Sequence, residues 1–272
     1  MSIASEITRI NNNIASAYSQ CQSKGATMPA TQNSANLANT ISTISGGGGA
    51  DLNDYFNTTY ENADWVKNMI KRIPQLTIPS GTTSISFQNI LAKNLAFDGL
   101  DCTGITAGNY FLGTNSSTYS VLETVDLANI TNANNITNFR YMFYNQYNLK
   151  EVKNMFALSG TKDIRNIFTS CQNLTSIDLS NWNVETGTYG SSAMFQNTYK
   201  LAVIDISGIT FTNNSNTNTF QNCGRDCLQS DGAYADGIPY VYVKDATAQA
   251  KVLASGNVPA SWTTNNVVIK SS

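Results

Sequence analysis

The sequence predicts an α+β protein, mainly a β repeat solenoid with an N-terminal helical segment, and three observations predict it. A fourteen-residue text recurs, as MFYNQYNLKEVKNM at 142–155, IFTSCQNLTSIDLS at 167–180 and MFQNTYKLAVIDIS at 194–207. Its phenylalanines are evenly placed: Phe143 to Phe168 is 25 residues, Phe168 to Phe195 is 27 and Phe195 to Phe220 is 25. Leu149, Leu174 and Leu201 each follow their own phenylalanine by six residues. A fixed period of this length marks stacked repeats, with rungs of 25–27 residues.

Residues 1–45 are a different kind of text. Ile3, Ile7, Ile10, Ile14, Ala17 and Cys21 step alternately by four and three, the a and d seam of a heptad helix. Gly25 and Pro29 end it, and Leu37, Ile41 and Ile44 repeat the spacing in a second helix from about Ser34 to Ile44. A hairpin packed on its own body is one reading. The flexible tether SGGGGA that follows, with a glycine linker at 46–50, favours another. In that reading 1–45 is an attachment or oligomerisation segment, joined to its own copies or to a partner. Isoleucine at both a and d leans toward higher states, a trimer being favoured.

Residues 51–109 are expected to cap the first rung, because an open solenoid end would expose apolar side chains and unpaired backbone. Trp65, Val66, Met69 and Ile70 suggest a short helix ending near Arg72 or Ile73, and TSISF at 83–87 alternates like a strand. The repeats occupy 110–230. Each carries Leu-x-x-Ile/Val: Leu122 with Val125, Leu149 with Val152, Leu174 with Ile177, Leu201 with Ile204. In Ile177-Asp178-Leu179 the period of two turns the apolar pair inward and the aspartate outward. Ile130, Leu158, Trp182 and Ile209 form a further inward ladder. Residues 231–272 read as a closing cap of strand (238–245), short helix (245–254) and strand (266–270).

Composition narrows the function. Charged residues are 12% of the chain, against ~25% in ordinary globular proteins, and the formal charge is −2. No cluster of Lys and Arg favours nucleic acid. There is no histidine, which removes the commonest acid/base and metal ligand. The five cysteines form no regular framework. Cys171 and Cys223 share a repeat position two rungs apart, too far to bridge, and read as small buried hydrophobes; Cys223 and Cys227 lack further metal ligands nearby. The first residues do not read as a signal peptide, and no apolar run is long enough to span a membrane. No enzyme activity, cofactor or metal is expected.

The unit MF-x-x-C/T-x-x-Leu-x-x-Ile-Asp-Leu-Ser-Asn-Trp/Phe, best preserved in IFTSCQNLTSIDLSNWNVET at 167–186, resembles the BspA-type leucine-rich-repeat-like units of bacterial surface proteins and bacteriophage. IPYVYVKDATAQAKV…SW is similar to the closing cap of such arrays. The likeness covers roughly 110–272 and is broken at Lys153-Asn154 and at CGRDC, where the stack is expected to be irregular. Residues 7–44 look similar to helical leaders of phage tail and fibre proteins. Together these imply a virion protein made in the host cytoplasm, a tail fibre or tail-tip adhesin. It would be joined through 1–45 to other virion proteins or to itself, and would recognise a host surface glycan or protein. Alternatives are a purely structural virion component and a bacterial BspA-like surface adhesin; a carbohydrate-active enzyme is the fourth reading.

Tyr147 and Tyr199, four residues after their phenylalanines, are the leading receptor-binding candidates, with Tyr144 and Tyr189 behind them. Packing on neighbouring rungs is the alternative for Tyr147 and Tyr199. Asp126, Asp178 and Asp205 line the outer strand face, interrupted by Lys153. They read either as a solvated face or as carboxylates for a cation or glycan.

Overall fold

A rung too short to hold a core must lend its backbone groups and one apolar side to its neighbours, and the chain does this by coiling. In the computed structural model the described residues are 3–23, 26–34, 36, 70–188, 190–212, 217–228 and 237–270. Those from residue 70 on form a β-solenoid of about 7 turns, in which every described strand pair is parallel.

One wall comprises β1 (Ile70–Ile73), β2 (Asn94–Phe97), β4 (Thr124–Asp126) and β6 (Glu151–Lys153) in one sheet. A second sheet holds β8 (Ser176–Asp178), β10 (Val203–Asp205), β12 (Tyr240–Val243) and β13 (Val267–Ile269). The register stacks Leu95 on Val125 on Val152, and Ile177 on Ile204 on Val241 on Val267. The break between β6 and β8 falls at Lys153-Asn154, the expected irregularity. Asn154 turns there with φ 52° and lies exposed; Met155 is buried in place of the Leu127, Leu179 or Ile206 of other copies.

The next wall pairs β3 (Leu100–Asp101) with β5 (Ile130–Thr131), and lays β7 (Ser159–Thr161), β9 (Asn183–Glu185) and β11 (Ile209–Thr210) side by side. Here the expected ladder Ile130, Leu158, Trp182, Ile209 needs correction. All four are buried, but Ile209 pairs with Val184 rather than Trp182. Trp182 and Ile209 close the same kind of turn, their N–H groups bonding Leu179 O and Ile206 O. The Trp182 rung then runs on two residues before its strand aligns, and the indole N–H donates to Phe156 O at 3.0 Å.

The third wall has single bridges, Ser84 to Ala107 to Asn138 to Asp163, followed by the phenylalanines. Phe143, Phe168 and Phe195 donate their N–H to Ile167 O, Met194 O and Thr219 O at 2.8, 2.9 and 2.9 Å. Their rings, with Phe220, stack at 5.4, 5.6 and 5.7 Å and within 17° of parallel. Trp262 closes the stack 5.2 Å from Phe220. By the same register Phe87 and Leu112 hold the equivalent place in two earlier rungs. Residues two before and two after this position turn with positive φ, for example Asn166 (58°), Ser170 (64°), Asn197 (59°), Asn218 (59°) and Asn222 (57°). Asparagine tolerates that conformation better than most residues.

The region 51–109 corrects in part. Ile70–Ile73 is a strand, not a helix end, and β1 and β2 continue the parallel ladder, so rungs precede residue 110. NLAF at 94–97 supplies the inward Leu95 and Phe97 without the phenylalanine signature. In TSISF, Ile85 and Phe87 point inward as the alternation predicts, but only Ser84 bridges. Residues 51–69, with Trp65, Val66 and Met69, lie outside the described residues, as do Leu37, Ile41, Ile44 and the 46–50 linker. At the C-terminal end β12, α2 (Ala246–Leu253) and β13 follow the expected order, α2 being capped by Asp245, which accepts from Ala248 N–H at 2.8 Å.

The helix α1 (Ile3–Ser23) carries the predicted seam. Ala17, Tyr18 and Cys21 are buried against Ile14, Ala26 and Met28 in a cluster separate from the solenoid core. The Tyr18 hydroxyl donates to Asn33 O at 2.8 Å. Ala17 and Cys21 are therefore covered by the chain's own return, as in a hairpin, because residues 26–33 lie back on that face. The side chains of Ile3, Ile7 and Ile10 lie outside the described residues.

Phe168→Ala, at the centre of the ring stack, is expected to cost about 3–5 kcal/mol in urea unfolding. Asn145→Ala, at φ 59°, should cost about 1 kcal/mol and Asn145→Gly close to none. Equal effects of the two Asn145 substitutions would contradict the corner argument.

Candidate functional site

Three rungs depart from asparagine at this corner, one with Ala193 (φ 54°) and two with a tyrosine. At the place where Asn166 and Asn218 turn, Tyr110 and Tyr141 hold φ 53° and 65°. A side chain with a bulky ring pays about 1–2 kcal/mol for that conformation, and outliers of this kind gather at functional positions. The two rings stack at 4.6 Å and 18°. Tyr144 stands across both, at 6.0 Å and 88° from Tyr110 and 5.1 Å and 73° from Tyr141. All three remain partly exposed.

Gly113 makes the cluster possible. It occupies the place of Tyr144 one rung earlier, and a Cβ on it would come within 2.1 Å of Tyr141 O and 3.3 Å of the Tyr110 ring. Arg140 completes the group, its guanidinium 4.6 Å over the Tyr141 ring and its Nη2 donating to the Tyr141 hydroxyl at 2.6 Å. Burial pushes the Tyr110 phenol above its ordinary range; the Asn115 hydrogen bond opposes this, and Tyr141 and Tyr144 add to it. Tyr110 thus stays protonated near neutrality.

Of the predicted residues, Tyr144 belongs to this cluster. Tyr147 is partly buried on the same rung, its N–H donating to Ser120 Oγ at 2.6 Å and its carbonyl accepting from Asn173 at 2.8 Å. Tyr199 lies elsewhere, its ring covered by the Arg225 guanidinium at 3.7 Å. Tyr189 falls outside the described residues. Sequence reasoning missed Tyr110, Tyr141 and Arg140. The signal was present, since NYFLG at 109–113 aligns with RYMFY at 140–144 once Leu112 is placed on the phenylalanine ladder.

The aspartates serve the turns. Asp126, Asp178 and Asp205 accept the N–H two residues on, from Ala128, Ser180 and Ser207 at 3.0, 2.8 and 3.0 Å. The Asn154 amide, with the Ala128 N–H, holds the Asp126 carboxyl below its ordinary value against partial burial. For Asp178 burial opposes ionisation, but the Ser180 bonds and Lys270 outweigh it and the value is lowered. Asp205 pairs with Lys270 at 2.5 Å. Neither Asp126 nor Asp178 has the raised value a general acid needs. Cys102, Cys171, Cys223 and Cys227 are buried and in no disulfide, and burial pushes the Cys223 thiol up to about 12. Among the described residues no cluster of His, Cys, Asp and Glu fits a metal ion, and no helix is long and apolar enough to cross a membrane.

Fold and site define a repeat solenoid with an aromatic patch on one side, and the repeats fit a BspA-like repeat protein. Residues 114–229 match a family described as "Mycoplasma protein of unknown function, DUF285". No curated protein and no solved structure matches the chain.

Gly113→Ala is expected to lower the thermal midpoint and change the near-UV tyrosine signal. Gly99→Ala, which meets only the flexible Gln75 side chain at 3.1 Å, should do neither. Depressed values at Asp101, Asp126 and Asp178 add stability that is present above the ordinary Asp range and lost as pH falls through the lowered values. Urea midpoints should therefore fall below about pH 4, and less steeply in Asp126→Asn; an identical acid slope in that variant would remove Asp126 from the account.

Proposed function

We propose that the chain is a non-enzymatic adhesin, with the solenoid as scaffold and the Tyr110–Tyr141–Tyr144 cluster as the contact with a ligand on another surface. The observation that carries this is the pair of tyrosines on consecutive rungs in left-handed conformations, where the later rungs use asparagine (Asn166, Asn218) or alanine (Ala193). The ladder itself does not require rings there. Aspartates committed to turns support a binding role over a catalytic one.

The family match is compatible with a BspA-like surface protein. Within that class the finer reading is a virion component, a tail fibre or tail tip recognising a host surface glycan or protein. It would be attached through residues 1–45 to other virion proteins or to further copies of itself. The helical leader and glycine tether support this assignment. The match to a family described from Mycoplasma supports the second reading, an adhesin on a cell surface.

Two measurements separate them: mass spectrometry of purified particles and of cell envelopes from the producing culture, and binding of the labelled full chain to intact cells. Chain in particles together with saturable cell binding, reduced in Tyr144→Ala, is the expected result. Chain in envelopes alone selects the cellular adhesin. Chain in particles without cell binding would make it a structural component and end the recognition reading.

A further inference from the structure

We infer that the tyrosine cluster takes a saccharide bearing a carboxylate, with the sugar against the rings and the acid group on Arg140. This rests on the recognition reading above and names its ligand class. The argument begins with a comparison between two adjacent rungs. Arg165 and Arg140 occupy the same place, as do Asp163 and Asn138, which bridge each other. Arg165 is neutralised by Asp163 through two bonds, at 2.9 and 2.6 Å. In the earlier rung the aspartate is replaced by Asn138, whose side-chain oxygen accepts the Arg140 backbone N–H, at 3.1 Å, rather than the guanidinium. Among the described residues Arg140 has no carboxylate partner. Its Nε is buried without an acceptor, and its Nη2 is spent on a neutral hydroxyl.

A guanidinium held in place by a ring, and not compensated by an anion, favours an anionic ligand that brings its own carboxylate. The neighbouring surface then decides which kind. Beside Arg140 stand three partly exposed tyrosines, suited to the apolar face of a pyranose, and the amide of Asn115 beside Tyr110. An extended acidic peptide fits less well. The backbone here is already paired from rung to rung, Tyr110 N–H to Arg140 O, Leu112 N–H to Met142 O and Tyr141 N–H to Arg165 O, so no strand can be added. The low charge of the chain as a whole, 12% of residues, leaves this site little competition from other cations.

The test uses the full chain and isothermal titration at low and moderate salt, with uronic and sialic acid oligosaccharides, their carboxyl-reduced forms, and a poly-glutamate peptide. At least one acidic sugar should bind about tenfold or more tightly than its reduced form, with the difference shrinking at higher salt. Arg140→Gln should abolish that preference. Tyr141→Asn places there the residue that two other rungs carry (Asn166, Asn218) and so should keep the fold, with an unchanged or raised thermal midpoint, while binding is lost. Equal binding of acidic and reduced sugars, preference for the peptide, no sugar binding at all, or an Arg140→Gln variant indistinguishable from the parent would each overturn the inference. If the chain still binds cells, the adhesin reading survives that failure; if cell binding is also absent, both fall.

Discussion

The parallel backbone ladder between successive rungs is the constraint on which everything else depends. Each rung leaves N–H and C=O groups on both of its flat sides, and only another rung in register can satisfy them. The regularity of the sequence follows from this. Phenylalanines recur because a ring in one rung must land on a ring in the next, 5.4–5.7 Å away. Asparagines recur for two separate reasons. Some turn the corners at positive φ. Others reach back one rung, as Asn148 does to Ser120 O, Asn173 to Tyr147 O and Asn181 to Met155 O, at 2.6, 2.8 and 2.8 Å. Those side chains answer carbonyls that the short strands leave unpaired. A chain so polar and so poor in charge is therefore the product of its corners.

The same constraint limits where variation is possible. Inward positions must match their neighbours, and outward strand positions are tied up by turn-capping aspartates. The outer corner before each phenylalanine is freer, since a residue there needs only to tolerate its conformation. Two consecutive rungs spend that freedom on tyrosine, and a third position spends it on Gly113, where a side chain would collide with Tyr141 O. Three departures in one place, one of them the removal of a side chain, act together to hold rings side by side.

Legibility in the sequence followed the ladder. Wherever the phenylalanine and the Leu-x-x-Ile/Val spacing coincided, the rungs were readable, down to the irregular copy at Lys153-Asn154. Where the phenylalanine is replaced, at Leu112, or the inward pair stands alone, as in Leu95 and Phe97, the spacing loses its anchor and two rungs read as a cap. The Trp182 and Ile209 mismatch has the same origin, because a loop two residues longer shifts strand register without altering the turn that precedes it. The site was legible only through Tyr144. Tyr110 and Tyr141 could be joined to it only once Leu112 was known to stack on Phe143, a fact of register that spacing does not contain. In the helix, heptad spacing identified the apolar seam but not its occupant. Tyr18 lies off the seam and is still fully buried, because residues 26–33 fold back over that side of the helix.

A solenoid also explains why the patch is confined to adjacent rungs. Rungs are joined only to their neighbours, so rings meet only within one rung or between adjacent rungs, and face-to-face stacking at this corner comes from the same position one rung apart. Tyr110 and Tyr141, 4.6 Å apart, satisfy that requirement, whereas Tyr199 is two rungs beyond Tyr147 and is covered by Arg225 instead. Exposed rings scattered along the array would each offer a weak contact. Rings on consecutive rungs share one backbone ladder, which fixes their spacing before any ligand arrives and removes the ordering cost from binding. The geometry that makes a rung dependent on its neighbour is thus the geometry that makes two neighbouring rungs a preformed surface.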